Sequence, residues 1–260
     1  MSEYLHVPCC FYRVCLWLAV PSVAGAAAVL AVDFGRNDSL AAGVAGASGT
    51  LQETGFQGFY LSGAATFNGL AGLTYPGTDP LLTGGSVTVN LQGDSSGAAG
   101  NMGGRNRGNP LDSGAFTYGN MLSDGIARTK LTSVQGEFTL QLLGLAPNTP
   151  FHMRLWSASS GSDIDTTYSW YDTTLGSTLL GTIFNGPGGT LAATANTDFS
   201  VSGIVTSSND GTLTFGVTSS NASPTSGFIS GFELNTVPEP SSSLLAGLAT
   251  GLGLTRRRRR

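Results

Sequence analysis

Short runs of β-branched and aromatic residues, separated by clusters of Gly, Asn, Asp and Pro, recur through most of this chain. Two of them, Ser86–Leu91 and Phe151–Ser157, alternate apolar and polar side chains. Such alternation is typical of strands with one buried face. Long periodic stretches rich in Glu and Lys, which favour helices, are missing, and Lys130 is the one lysine. The pattern therefore predicts an all-β fold, either a sandwich or a barrel.

The chain between its two termini contains nine segments that we expect to form strands. They are Val29–Phe34, Gly55–Leu61, Ser86–Leu91, Gly136–Leu143, Phe151–Ser157, Ser177–Phe184, Phe199–Val205, Thr212–Val217 and Gly227–Leu234. Gln92–Gly108 is predicted to be a long loop, and Met121–Arg128 a short helical turn or an edge segment. The turn Gly144–Pro150 joins two strands, either as a hairpin or as a crossover between sheets.

The C-terminal segment has three parts in a fixed order. An extended polar box, whose two prolines fix φ, precedes an apolar run, and a block of arginines follows. The box is Val237, Pro238, Glu239 and Pro240, and the block is Arg256, Arg257, Arg258, Arg259 and Arg260. A helix over Ser241–Thr255 would be about 22 Å long, short of the ~30 Å hydrocarbon core, and snorkelling arginines would shorten that gap. The order predicts a short transmembrane anchor with its arginines on the cytoplasmic side.

Taken alone, an arginine run is more common in nucleic-acid-binding or solvated tails, and a short apolar run in buried helices. Together, residues 237–260 resemble the PEP-CTERM sorting signal of Gram-negative bacteria. The resemblance implies export, transient anchoring in the inner membrane, and recognition of the Pro-Glu-Pro box by exosortase, which cuts or transfers the protein nearby. It also implies a place in the cell envelope or extracellular matrix, in association with exopolysaccharide.

Residues 1–28 have the pattern of a secretory signal peptide. Arg13 supplies a weak positive region, Val14–Ala24 an apolar core, and Ala26–Ala28 the small residues that signal peptidase requires. We expect Sec export and cleavage after Ala28; the alternative is an N-terminal anchor that is never cut. All three cysteines, Cys9, Cys10 and Cys15, precede this site. The mature protein should therefore contain no disulfide and no Cys-ligated metal.

Residues 29–237 are more acidic than the whole chain. Removing Glu3 and Glu239 from the 16 acids, and Arg13 with the five terminal arginines from the 12 bases, leaves 14 acids against 6 bases and a net charge of −8. Because nucleic-acid binding depends on positive charge, this balance argues against a nucleic-acid partner.

Four stretches in this part are similar to a lectin-type jelly roll, the galactose-binding-like or malectin-like sandwich. They are Val32–Gly35, Gly144–Thr149, Gly211–Val217 and Gly227–Leu234. The resemblance implies that a strand near the end pairs beside the first. We expect one β-sandwich over residues 29–236, between the signal peptide and the short transmembrane sorting helix, with another type of β-sandwich as the alternative.

Catalytic patterns are weak in this sequence. His152 is the one histidine of the mature part, and no Gly-x-Ser-x-Gly turn is present. Paired carboxylates for glycoside hydrolysis need not be adjacent in sequence, and Glu53, Glu137 and Glu233 are the glutamates available. We expect a protein without enzymatic activity, with a secreted glycosidase or lyase as an alternative.

Two groups of residues are candidates for ligand binding. The aromatic group Trp156, Tyr168, Trp170 and Tyr171 could stack on the apolar faces of sugars; the alternative is that these rings belong to the core. Asp163 and Asp165 could supply oxygen ligands to a structural Ca²⁺; the alternative is a solvated loop. No other cofactor is indicated.

The interpretation is an exported, non-catalytic protein that is a matrix component or binds carbohydrate. The main alternative is a structural or adhesive matrix protein without a ligand, for which Trp156 and Trp170 should be buried.

Overall fold

The computed structural model describes residues 28–49, 51–63, 69–93, 101–107, 112–129, 138–158, 166–185, 192–220 and 225–237. The predictions made for residues 1–27, for Pro238–Arg260, and for Glu137, Asp163 and Asp165 lie outside these ranges. The strands are β1 Ala28–Arg36, β2 Gln57–Leu61, β3 Leu70–Pro76, β4 Ser86–Gly93, β5 Asn101–Asn106, β6 Asp124–Thr129, β7 Phe138–Leu143, β8 Pro150–Trp156, β9 Thr166–Asp172, β10 Thr178–Asn185, β11 Ser200–Thr206, β12 Leu213–Ser219, β13 Thr225–Ile229 and β14 Gly231–Thr236, and the helix α1 is Gly119–Ser123.

The strands form three sheets in a sandwich-like arrangement. One sheet has the order β11-β8-β14-β1-β2, the second β10-β9-β12-β7-β4-β3, and the third β13-β6-β5. Within these sheets β1 and β2 are parallel neighbours, and the other paired strands run antiparallel. The all-β prediction is therefore confirmed, while the narrower expectation of a galactose-binding-like jelly roll stays a prediction.

One hydrophobic core lies among the three sheets. Alternate residues of each strand enter it, because successive side chains of a strand point to opposite faces. The five-stranded sheet contributes Val32, Phe34, Phe151, Met153, Leu155, Phe232 and Leu234, and the six-stranded sheet contributes Val87, Val89, Leu91, Leu140, Leu142, Phe215 and Val217. The burial of this apolar surface is the main force that holds the sheets together.

The first and last strands of the sandwich are neighbours. β1 pairs antiparallel with β14, with Ala28 opposite Asn235 and Asp33 opposite Gly231. The expectation that a strand near the end pairs beside the first is confirmed. The start of β1 and the end of β14 therefore lie at the same end of the sheet.

A second, smaller hydrophobic cluster covers part of the outer face of the five-stranded sheet. It consists of Phe56, Phe116, Met121, Leu122, Trp156 and Ala158. Helix α1 supplies two of these residues, and a Cβ placed on Gly231 of β14 would collide with the side chain of Met121. The outer face of β1 and β14 is thus closed to solvent where α1 lies over it.

Several predictions of local structure were wrong. Gln92–Gly108 contains strand β5, and the strand β3 was not predicted at all. Gly227–Leu234 is two strands in different sheets, β13 and β14, separated at Ser230. Two predictions that left alternatives open fared better. For the turn Gly144–Pro150 the crossover is confirmed, because β7 belongs to the six-stranded sheet and β8 to the five-stranded one. The helical turn predicted within Met121–Arg128 is the end of α1, and β6 follows it.

Within the described ranges, no helix is both long enough and apolar enough to span a membrane.

Candidate functional site

The predicted aromatic group does not form one surface. Trp156, Tyr168 and Trp170 are fully buried at 0 % exposure, and Tyr171 is half-buried. Trp156 belongs to the smaller cluster, whereas Tyr168 and Trp170 belong to the main core. Because a ring without exposed surface cannot stack on a sugar, the positions of these three rings favour the alternative in which they are core residues.

Hydrogen bonds fix the two indole rings in place. The Nε1–H of Trp156 donates to the carbonyl oxygen of Asn196 at 2.8 Å, and its ring packs edge-on against Tyr118 at a centroid distance of 5.6 Å. The Nε1–H of Trp170 donates to Oγ of Ser157 at 2.8 Å. Both polar ends are satisfied inside the protein, as buried indoles require.

An open groove with a cavity volume of about 310 Å³ lies where the end of β10 meets the start of β11. Its lining includes Thr182, Phe184, Asp198, Phe199 and Ser200. The Phe184 ring is 55 % exposed. An exposed aromatic face beside a carboxylate and hydroxyl groups is the kind of surface that recognises sugars.

Local backbone geometry and hydrogen bonds position two residues of the groove lining, Asp198 and Phe199. Phe199 has φ of 55°, an uncommon conformation for a residue with a bulky side chain. Asp198 Oδ2 accepts hydrogen bonds from the backbone N–H groups of Thr194 at 2.7 Å and Ala195 at 3.0 Å. The bond from Thr194 is the largest cause that lowers the pKa of Asp198. Asp198 is therefore a fixed, ionised hydrogen-bond acceptor at neutral pH.

A second group of polar residues is buried beneath α1, on the outer face of β1. Asp33, Tyr60 and Asp124 are at most 1 % exposed, and Glu53 is 7 % exposed. Burial, together with the neighbouring charge of Asp124, raises the pKa of Asp33 to about 8. Burial also raises the pKa of Asp124 to about 7. We call Asp33, Asp124 and Tyr60 the buried carboxylate group.

The buried carboxylate group has no surface through which a polysaccharide could reach it. Two convergent carboxylates in a groove would favour the glycosidase alternative, but this pair lies under α1 and the side chain of Tyr60. Glu233, on β14, lies opposite Arg154 of β8 and is half-buried. In the described part of the chain, no group of three or more His, Cys, Asp and Glu side chains is arranged to hold a metal ion.

Sequence reasoning missed both the groove and the buried carboxylate group. Phe184 was placed in a strand, but nothing in the pattern showed that this strand lies at a sheet edge. Asp33 carried a usable signal, because it is the acidic residue within the apolar run Val29–Phe34. An acid at the centre of a strand that is covered on both faces has to be buried.

Comparison with known proteins gave three results. The PEP-CTERM protein-sorting motif matches residues 236–260. No curated protein sequence matches the chain. One similar solved structure is the K1 cleaved adhesin domain of Lys-gingipain from Porphyromonas gingivalis W83, with 10 % sequence identity, a TM-score of 0.24, and coverage of 63 % of this chain and 94 % of that domain.

The match at residues 236–260 confirms the resemblance of the C-terminal segment, and it begins at the last residue of β14. The motif implies export and transient membrane anchoring in a Gram-negative envelope. This chain therefore carries a PEP-CTERM protein-sorting motif and is an exported protein that exosortase sorts.

Proposed function

We propose that the chain is a non-catalytic component of the cell surface or extracellular matrix, and that its β-sandwich is the domain that performs the function. The observation that carries this proposal is the sorting motif at residues 236–260, which begins at the last residue of β14. Exosortase acts at the Pro-Glu-Pro box, Pro238–Pro240, while the apolar run and Arg256–Arg260 hold the chain in the inner membrane. The sandwich is then passed to the outer surface as a folded unit.

A structural or adhesive role fits the sandwich best. Trp156 and Trp170, which a glycan-binding aromatic surface would have to expose, are fully buried. The largest aromatic side chains therefore stabilise the fold, and the protein acts through its shape and attachment.

The experiment is deletion of the gene in the native host, followed by complementation. The full chain should restore the cohesion of the matrix, measured as resistance of a colony or biofilm to shear, and a chain lacking residues 237–260 should not. Recovery of cohesion by the truncated chain, or recovery of the full chain in the cytoplasmic fraction alone, would contradict the proposal.

A second candidate function is contact with a polysaccharide of the matrix through the groove beside Phe184. The exposed ring and the fixed acceptor Asp198 support this function. Because residues 29–237 carry a net charge of −8, a neutral polysaccharide fits the surface better than an acidic one.

Affinity electrophoresis in gels that contain the host exopolysaccharide tests this second function. Phe184→Ala should weaken retardation by roughly 2- to 10-fold, since an aromatic stacking contact contributes about 0.5–1.5 kcal/mol. Leu175→Ala is the matched control, because Leu175 is 72 % exposed and lies outside the groove lining. Equal mobility of the wild-type chain with and without polysaccharide would remove this function and leave the structural role intact.

A further inference from the structure

Asp33 lies in a gap on the outer face of the five-stranded sheet. Its neighbours across the sheet are Gly58 of β2 and Gly231 of β14, and Gly35 is the next residue of β1 on the same face. Because glycine has no side chain, side chains from other parts of the chain occupy the space over these residues. Tyr60 lies over Gly58 and Gly35, Asp124 over Gly35, and Met121 over Gly231.

Asp124 and Tyr60 cover this gap. A Cβ placed on Gly35 would collide with Asp124 Oδ2 and would lie 2.5 Å from Cε1 of the Tyr60 ring. Tyr60 is also the residue directly beside Gly35 in the parallel pair of β1 and β2. The three side chains thus meet over one short stretch of β1, and all are at most 1 % exposed.

Each carboxylate of the group has one oxygen bonded and one oxygen without a partner. Asp33 Oδ2 accepts a hydrogen bond from the backbone N–H of Glu53 at 2.5 Å, and Asp124 Oδ2 accepts one from the backbone N–H of Arg36 at 3.2 Å. The remaining Oδ1 atoms of Asp33 and Asp124 and the hydroxyl of Tyr60 are buried without a hydrogen-bond partner. Buried polar atoms are nearly always bonded, so three unpartnered oxygens in one place require an explanation.

The chemistry of these atoms indicates which kind of ion would satisfy them. All three unpartnered atoms are oxygens, and two of them belong to carboxylates. An isolated buried carboxylate is costly unless it is paired with a cation or coordinates a metal. Oxygen ligands favour a hard cation, and Ca²⁺, which accepts carboxylate oxygens in flexible geometry, suits this set. Mg²⁺ demands a near-ideal octahedron and retains waters, which suits a gap under a packed tyrosine ring poorly.

We propose that the buried carboxylate group binds one Ca²⁺ through Asp33 Oδ1 and Asp124 Oδ1, with the Tyr60 hydroxyl as a third oxygen ligand. The ion joins β1 of the five-stranded sheet to β6 of the three-stranded sheet. The site is distinct from the loop of Asp163 and Asp165 that the sequence predicted, and it does not depend on the proposed function.

The test measures Ca²⁺ binding and thermal unfolding of the full chain, purified in a mild detergent and stripped with a chelator. With CaCl₂ at about 5 mM, above the roughly 10⁻⁴–10⁻³ M dissociation constants of extracellular modules, the unfolding midpoint should rise by roughly 3–9 °C. MgCl₂ at the same concentration should give a much smaller shift. Equilibrium dialysis with radioactive calcium should find a bound ion.

Two isosteric variants locate the ion. Asp33→Asn and Asp124→Asn should each abolish most of the shift, because both remove a charged ligand. Asp210→Asn, at an exposed turn, is the matched control and should keep the full shift. The double variant Asp163→Asn with Asp165→Asn should also keep it.

Three results would overturn the proposal. They are a wild-type chain that binds no calcium in dialysis, a shift that survives in both Asp33→Asn and Asp124→Asn, and a shift that disappears in the variant of Asp163 and Asp165. Should either isosteric variant fail to fold, the calcium affinity of Tyr60→Phe gives a second test. It keeps the ring and removes one ligand, so calcium affinity should fall several-fold, and an unchanged affinity counts against the proposed ligand set.

Discussion

The indole Nε1–H of Trp170 donates a hydrogen bond to Oγ of Ser157 at 2.8 Å, and the same hydroxyl donates to the carbonyl oxygen of Phe228 at 2.5 Å. Trp170 lies on β9 of the six-stranded sheet, Ser157 follows β8 of the five-stranded sheet, and Phe228 lies on β13 of the three-stranded sheet. One buried hydroxyl thus connects all three sheets.

Ser157→Ala should therefore destabilise the protein. The change removes the acceptor of the Trp170 indole and the donor to Phe228, and a buried group left without its partner costs about 1–3 kcal/mol. Urea denaturation followed by circular dichroism measures the loss. Ser202→Ala, at an exposed position of β11, should change the free energy of unfolding by less than about 0.5 kcal/mol, and a similar loss in both variants would contradict the assigned role.

Both tryptophans of the sandwich should be shielded from solvent. In a Trp17→Phe variant, fluorescence comes from Trp156 and Trp170 alone, and both are 0 % exposed. Emission should be blue-shifted, and acrylamide should quench it weakly until the protein is denatured. Strong quenching of the folded protein, or a change of emission on adding polysaccharide, would instead place an indole at the surface.

In the presence of a chelator, stability should fall as the pH rises. Burial raises the pKa of Asp33 to about 8 and that of Asp124 to about 7, whereas both titrate near 3.9 in the unfolded chain. The folded state therefore binds more protons than the unfolded state between about pH 4 and 8, so the contribution is complete below pH 4 and is lost as the pH passes through 7 and 8. Glu53 and Tyr60, whose pKa values are also raised chiefly by burial, lie beside the pair.

Urea midpoints at a series of pH values in chelator measure this trend. Asp33→Asn should flatten it, because the substitution removes the group with the higher pKa of the pair. A midpoint that rises from pH 5 to 8 would show that the two carboxyls are ionised in the metal-free fold, contrary to the effect of burial.

Removing residues 238–260 should change where the protein resides without unfolding it. The last described strand ends at Thr236, so the truncation leaves every described strand intact. In the native host, the truncated chain should be exported but released to the medium, while the full chain stays with the envelope or matrix. Fractionation and immunoblotting decide this, and identical distribution of the two chains would show that the matched motif does not direct sorting.

The sequence predicted the strands whose alternation is regular. β1, β4, β8 and β12 were placed within a few residues of their bounds, because their inward positions carry large apolar side chains. β5 was missed because Gly103 and Gly104 replace the β-branched residues that mark a strand. Gly104 is required there, since a Cβ would press into the backbone of Leu61 and Arg36. This close approach depends on the tertiary fold, and the local sequence pattern carries no information about tertiary contacts.

The candidate sites were harder to predict than the strands. Trp156 and Trp170 are close in sequence to Tyr168 and Tyr171, which suggested one aromatic surface. The two tryptophans, however, lie on strands of different sheets. The Trp156 side chain packs in the smaller cluster and the Trp170 side chain in the main core. Whether an aromatic residue faces solvent depends on which elements cover it, and the cover over Trp156 comes from residues about 40 to 100 positions away in the chain, among them Phe56 and Asn196.

The position of β14 between β8 and β1 determines how this protein responds to mechanical tension. A chain held by its C-terminal end transmits any pulling force directly into β14, which bonds to a partner on each side over most of its length. When the opposing force acts at the far end of the sheet, it loads the hydrogen bonds of both ladders together, in shear, and does not open them one after another. A sandwich tethered in this way should extend abruptly and only at high force.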